Sequence, residues 1–359
     1  MARGLLLLSF LFLGCAHPPK TAPGSPAKTS TTGAAKPART VAQTAAGKGA
    51  ELIETALSQS PLFLEKQKIG KLPFAQRMGY QLEAKDTTFK GCVLYLPGLG
   101  DSIRNHDFYF GALNRAGYRV LMFDYLGQGG SDGDMAKTRI VAGGDPFVTE
   151  RDFEIDQQAK FVWKRYSETP DPVYGRDCSK SPIRVIGWST GGLAAYRMAS
   201  EKWAQAVILI APGLAPNPCA GEIAGPSIPR CLLKSLQVDQ IITLRTLTSN
   251  RYPDGKDPHF DPIKPNSPFM VKEFATNLLS TAYRQAPGWK VDPAIKGLVF
   301  LGGEHDTYVD AVKSQTLLKK NARHFELIRY SEGYHELHNE VPAIADDLTA
   351  KTIAFLDRN

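Results

Sequence analysis

The first fifty residues hold no aspartate or glutamate, and Glu51 is the first acid of the 359-residue chain. Six basic residues (Arg3, Lys20, Lys28, Lys36, Arg39 and Lys48) precede it. Subtracting those six from the formal net charge of +7 leaves +1 for everything after, so the body of the chain is close to neutral. Basic charge confined to one end is not the footprint of a nucleic-acid surface. No stretch of the body interleaves basic and aromatic residues as a nucleic-acid groove requires, so no nucleic-acid partner is expected. An apolar run able to cross a bilayer is missing too: residues 5–13 fall well short of the ~20 that a spanning helix needs. There is no internal repeat. The seven histidines do not fall in ligand spacing, and neither a metal nor another cofactor is expected. Cysteine is scarce, with five in the chain.

The N-terminus reads as an export signal: Arg3 supplies charge, residues 5–13 are apolar, and Gly14-Cys15 follows. Leu13-Gly14-Cys15 resembles a bacterial lipobox, with Phe12 where that motif usually has leucine. The expectation is a lipid-anchored protein of the bacterial cell envelope, joined to the membrane at Cys15; the alternative is a soluble periplasmic or secreted protein. In such a compartment the other four cysteines can form disulfides. Cys219 and Cys231 bracket a short Pro/Gly-rich loop and are the expected pair. Cys92 falls in a buried strand and reads as a small core residue, while Cys178 has no evident partner.

Four regions follow from composition. Residues 1–15 are the signal and residues 16–50 a tether too poor in large apolar groups to offset its ordering entropy. Residues 51–211 and 294–359 alternate apolar strand-like runs with amphipathic segments, the pattern of an α/β fold with a mostly parallel sheet covered on both faces. Residues 212–293 break that alternation and read as a helical cap insertion. After an amphipathic stretch at 52–64, strands are predicted at 93–96, 119–123, 183–187, 206–210, 298–301 and 325–330, with two weaker ones between 74 and 89. Helices are predicted at 108–116, 149–166, 193–203 and 344–356, and in the cap at 232–247 and 269–283.

The chain is organised around Val185-Ile186-Gly187-Trp188-Ser189-Thr190-Gly191-Gly192, where a β-branched run enters a Gly-x-Ser-x-Gly turn and leaves in a helix-favouring segment. In such an elbow the serine hydroxyl is lifted above the sheet, and glycines stand where a Cβ would strike the adjoining backbone. A serine is a weak nucleophile until a base takes its proton and a carboxylate orients that base. Both are predicted downstream, acid first. Asp306 follows the apolar run at 298–301 and is the candidate acid, with Glu304 and Asp310 as competitors. His335 follows the last predicted strand and is the candidate base, with His338 and His305 as alternatives. Acyl transfer also needs donors for an oxyanion. The backbone N–H groups of Thr190, in the elbow, and of Leu99, in the Gly-rich loop after strand 93–96, are the candidates.

Taken together, Gly98-Leu99-Gly100, the elbow, Asp124-x-x-Gly127-x-Gly129-x-Ser131-Asp132-Gly133, Gly302-x-x-x-Asp306 and His335-Glu336-Leu337-His338-Asn339-Glu340 resemble the α/β-hydrolase superfamily. Within it the chain is most similar to the monoacylglycerol lipase and lysophospholipase group, also called serine aminopeptidase-like. The resemblance runs from about residue 91 to the C-terminus. It implies Ser189 as nucleophile, Asp306 as acid, His335 as base, Leu99 and Thr190 as oxyanion donors, and Glu340 as a supporting residue. A small-molecule acyl ester, such as a monoacylglycerol or lysophospholipid, is the implied substrate. Pro97 and Trp188 stand where the group usually has histidine, which alters the pocket lining. The alternatives are an aminopeptidase and a non-catalytic envelope lipoprotein.

Overall fold

The computed structural model describes residues 51–54, 60–69, 74–99, 101–133, 155–217, 248, 278 and 280–359. Cys15, Cys219, Cys231, the expected signal and tether, and most of the expected cap lie outside them. The sheet has nine strands in the order β1-β2-β3-β5-β4-β6-β7-β8-β9. β1 (Glu51–Glu54), β2 (Pro61–Lys68) and β3 (Ala75–Gln81) run antiparallel to their neighbours. The amphipathic stretch at 52–64 thus contributes to a strand pair. Of the two weaker strands expected between 74 and 89, β3 forms. The remainder is a loop tied down by Ala84 N–H to Asn114 O (3.0 Å) and Lys90 N–H to Gly117 O (2.8 Å).

β4 (Gly91–Leu96), β5 (Tyr118–Phe123), β6 (Arg184–Trp188) and β7 (Ala206–Ile210) are buried at every residue. β8 (Lys296–Leu301) is buried after its first residue, and β9 (Glu326–Arg329) forms the edge. From β5 to β9 every neighbouring pair is parallel. Such strands read as near-continuous apolar runs because both faces are covered.

The two faces sort by alternation along each strand. Leu94, Leu96, Val185, Val207, Leu209 and Val299 pack with α2 (Ile155–Ser167), α3 (Thr190–Ser200) and α4 (Ala311–Asn321). Val93, Tyr95, Ile186, Trp188, Ile208 and Phe300 pack with α1 (Asp107–Arg115) and α5 (Pro342–Arg358) on the other face. Among the described residues no helix is long and apolar enough to cross a membrane.

One expectation is overturned here. Cys92, on β4, forms a disulfide with Cys178 in the connection between α2 and β6. Both residues are buried. Cys178 reaches Cys92 because the chain leaving α2 turns back beneath the sheet, where Cys178 N–H donates to Ser167 O at 2.7 Å. The Cα atoms are 5.8 Å apart although 86 residues separate them in sequence.

Candidate active site

Ser189 sits between β6 and α3 at φ 53°, ψ −116°, a region that non-glycine residues seldom occupy and that recurs at functional turns. The turn is tight enough to exclude side chains. A Cβ on Gly187 would lie 2.3 Å from Gly191 O, and one on Gly191 would lie 2.2 Å from Leu96 O. Ile210 O accepts from Ser189 N–H (3.0 Å), and Ser189 O accepts from Gly213 N–H (2.8 Å) and Leu193 N–H (3.1 Å). A serine at a helix N-cap ordinarily accepts from an amide of the first turn. Ser189 makes no such bond, and its Oγ instead lies 2.8 Å from His335 Nε2.

The partner groups arrive on the two loops expected to supply them. Asp306 follows β8 and is held by its own loop, with Oδ1 accepting from the N–H groups of Tyr308 and Val309, each at 3.0 Å. His335 Nδ1 lies 3.0 Å from Asp306 Oδ1 and 3.1 Å from Oδ2. The imidazole is enclosed by the rings of Trp188 (5.6 Å) and Tyr308 (4.9 Å), and Trp188 Nε1–H donates to His335 O at 3.0 Å. Glu340 is fully buried behind this loop, accepting from the N–H groups of Tyr334 and Val341, each at 3.0 Å.

Competing assignments separate cleanly. Glu304 and His305 are exposed, and the His305 ring stacks on Tyr334 at 4.9 Å. Asp310 caps α4, its Oδ1 accepting from Lys313 N–H at 2.9 Å. Chemically, a carboxylate on Nδ1–H leaves the Nε2 lone pair facing a serine hydroxyl, which is the arrangement for removing its proton. Ser189 is half-buried and so remains open to a reactant.

Thr190 opens α3, where helix N–H groups point outward without intrahelical partners. The loop after β4 presses on the elbow: a Cβ on Gly98 would lie 2.6 Å from the Trp188 ring, and Pro97 O lies 2.5 Å from the Cβ position of Gly191. Leu99 is the next residue of that loop. A buried Asp124 braces it from beneath, its carboxylate accepting from Ile103 N–H (2.9 Å), Gly130 N–H (2.8 Å) and Arg77 Nε (2.5 Å). Burial raises the Asp124 carboxyl above its ordinary value, and Arg77 with these amides offsets only part of that. The Asp124 motif was legible in sequence; Arg77, on β3, carried no signal.

Sequence reading also missed a second polar cluster on the α1 face of the sheet. His106 Nε2 lies 2.7 Å from Asp101 Oδ2, and His106 Nδ1 lies 2.9 Å from His338 Nε2. Tyr95 Oη is 3.2 Å from Nε2 of each ring. Asn339 Nδ2 donates to Glu336 Oε1 at 2.7 Å, and Glu336 Oε1 is 3.9 Å from His106 Nδ1. All are buried. Burial alone would lower the His106 pKa, but Asp101, Glu336 and Asp107 carry it above the ordinary value. His106, Glu336 and His338 each offer one ligand atom within 4.8 Å of the others. Their separation of more than two hundred residues hid this grouping from any spacing rule.

The family described as Serine aminopeptidase, S33, matches residues 87–342. Among curated proteins, none matches the sequence. Among solved structures, the monoacylglycerol lipase of Paleococcus ferrophilus is 18% identical with a TM-score of 0.54, covering 78% of this chain and 98% of its own. A soluble variant of monoglyceride lipase from Saccharomyces cerevisiae, in complex with a substrate analogue, is 15% identical with a TM-score of 0.58 over 82% and 94%. A thermostable carboxyl esterase from Bacillus coagulans, in complex with glycerol, is 14% identical with a TM-score of 0.55 over 82% and 97%. At such identities the likeness is one of fold.

Proposed function

The chain belongs to the serine aminopeptidase (S33) family, with an α/β-hydrolase fold, and from that premise we propose a serine hydrolase that cleaves carboxylic esters through an acyl-enzyme. The observation that carries the proposal is the unbroken contact series from Ser189 Oγ to His335 (2.8 Å) and on to Asp306 (3.0 Å), assembled from three loops. Ser189 Oγ attacks the ester carbonyl while His335 Nε2 takes the hydroxyl proton, and Asp306 holds Nδ1–H and stabilises the imidazolium. The backbone N–H groups of Thr190 and Leu99 receive the oxyanion. Collapse of the tetrahedral species breaks the bond to the leaving alcohol, which takes the proton from His335. Water then repeats the sequence on the acyl-serine, with His335 again as base, and releases the carboxylic acid and free Ser189.

Fluorophosphonate labelling and hydrolysis of p-nitrophenyl butyrate test this directly. Wild-type protein should label and turn over, and Ser189→Ala should do neither, with kcat down by roughly 10⁴-fold or more. Equal labelling of the two proteins would refute Ser189 as the nucleophile, and folded wild-type protein that neither labels nor hydrolyses would favour a non-catalytic envelope lipoprotein.

For substrate, the motif resemblance supports a single-chain acyl ester, a monoacylglycerol or lysophospholipid, and two of the similar solved folds are monoacylglycerol lipases by name. In the sequence, Leu232, Leu233, Leu236, Ile241, Ile242 and Leu244 of the expected cap are apolar candidates for an acyl site, and they lie outside the described residues. The family description favours a second reading, release of N-terminal residues from peptides. A panel of monoacylglycerols, lysophospholipids, short-chain esters and aminoacyl amides decides between them. The setting we propose is the bacterial cell envelope, anchored at Cys15. The Cys92–Cys178 disulfide supports export, because such bonds persist in oxidising compartments.

A further inference from the structure

We propose that Asp101, His106 and His338 are positioning residues for this reaction: a buried carboxylate–imidazole–imidazole chain that fastens the loop bearing Leu99 to the loop bearing His335. The proposal rests on the reading of Ser189 and His335 as the reacting pair. Asp101 lies two residues beyond Leu99, and His338 three beyond His335. The chain therefore starts on the loop of one reacting element and ends on the loop of another, through contacts of 2.7 and 2.9 Å. Asn339 Nδ2, donating to Asn105 O at 3.0 Å, adds a second tie between the same loops.

Both loops rest on Trp188, the residue immediately before Ser189. Its ring lies 6.0 Å from that of His106, 5.5 Å from His338 and 5.6 Å from His335. The nucleophile, the base and the loop of the proposed oxyanion donor thus meet at one indole and one imidazole–imidazole bond. An apolar pair of similar size would fill the space, but it would not fix one loop in register with the other. Directional bonds among buried groups do, provided each has its partner. Asp101 Oδ1 is held in turn by Ser102 N–H (2.7 Å) and Asn105 Nδ2 (3.1 Å), so the first link of the chain is itself fixed.

Proton count constrains the link. His106 donates from Nε2 to Asp101, and only one hydrogen fits between His106 Nδ1 and His338 Nε2, so one of those nitrogens keeps its lone pair. The bond stands with the hydrogen on either ring. The same two nitrogens and Glu336 Oε1 form the grouping that a divalent cation would use, yet the nitrogens are bonded to each other and Glu336 Oε1 accepts from Asn339. A hydrogen-bonded chain accounts for these contacts without an ion.

The test uses the full chain, with p-nitrophenyl butyrate as substrate and the active fraction counted by stoichiometric fluorophosphonate labelling, so that misfolded protein does not enter kcat. His106→Phe and His338→Phe should each lower kcat per labelled site by about tenfold or more with KM within about twofold, since misplacement of reacting groups acts on the chemical step. The double variant should lose no more than the worse single one, because either substitution breaks the same chain. His338→Gln, which offers a nitrogen or oxygen near the position of Nε2, should recover most of the loss. Unchanged kcat per labelled site in His338→Phe, multiplicative losses in the double variant, or no recovery with glutamine would overturn the proposal. So would about one zinc per chain by elemental analysis, lost in His338→Phe, which would make the cluster a metal site. Folded wild-type protein that neither labels nor hydrolyses would remove the parent reading and this one with it. Normal wild-type labelling with indifferent variants removes this one alone.

Discussion

At Asp306 the two carboxylate oxygens divide their work: Oδ1 accepts from two backbone amides as well as facing His335 Nδ1, and Oδ2 faces the same nitrogen. Asp306→Asn should therefore keep the loop folded while presenting an amide to the imidazole, which favours the wrong tautomer. On the acyl-transfer reading, kcat for ester hydrolysis should fall roughly 10³–10⁴-fold, and Glu304→Gln, at an exposed neighbour, should stay within about twofold. A steady-state assay of the two purified variants checks it, and comparable losses in both would sink the assignment. The sequence placed Asp306, Glu304 and Asp310 in one strand-end stretch and could rank them only by position. What separates them is the direction in which the backbone aims each side chain, set by the turn at 303–309 and by the capping role of Asp310. His335 and His338 were harder to tell apart, being three residues apart on one loop. The structure gives both buried, bonded roles.

Elements with a single kind of neighbour on each face were the easiest to read. Strands β4 to β8 are apolar apart from Arg119, Arg184 and Lys296 because helices cover both sides, and their limits lie within two residues of those expected. The N-terminal strands pair at the sheet margin and β2 mixes apolar residues with Glu65, Lys66 and Lys68, so the amphipathic stretch at 52–64 did not declare itself as strand. That margin is where β2 meets α2. Glu65, on β2, accepts from Arg165 Nε (2.5 Å) and Nη2 (3.0 Å) and from Tyr166 Oη (2.6 Å) of α2. Burial alone would raise the Glu65 carboxyl, but the bonds from Arg165, Tyr166 and Gln67 bring it below its ordinary value of 4.5. A carboxyl lowered on folding adds stability that is complete above its unfolded value and is lost as pH falls through the folded one. Glu65→Gln should cost about 1–2 kcal/mol near pH 7, and the difference from wild type should shrink below pH 4.5. Urea denaturation at several pH values measures it, and a difference that stays constant down to pH 3 would place the effect elsewhere, on the order of packing alone.

Across the whole molecule, what escaped the sequence is whatever depends on where distant connections converge. Cys92 looked like a core residue and Cys178 had no partner, because neither the return of the α2–β6 connection beneath β4 nor the resulting 5.8 Å approach is written in local pattern. The same holds for Asp101, His106 and His338, joined from opposite ends of the folded chain. The disulfide also bears on where the protein works. A bridge closing an 86-residue separation removes much of the unfolded chain's freedom, worth about 2–4 kcal/mol in typical cases, and such bonds persist chiefly in oxidising compartments. On our proposal of export, the lipobox-like Cys15 would lie in the same compartment. Protein produced with its native N-terminus should therefore partition with membranes, incorporate labelled fatty acid and show no free thiol at Cys92 or Cys178. Cys15→Ala should abolish the first two properties and leave the third intact, while dithiothreitol should lower the denaturation midpoint of either protein. Incorporation that survives Cys15→Ala would move the anchor elsewhere, and free thiols at Cys92 and Cys178 in the native preparation would remove the compartment argument altogether.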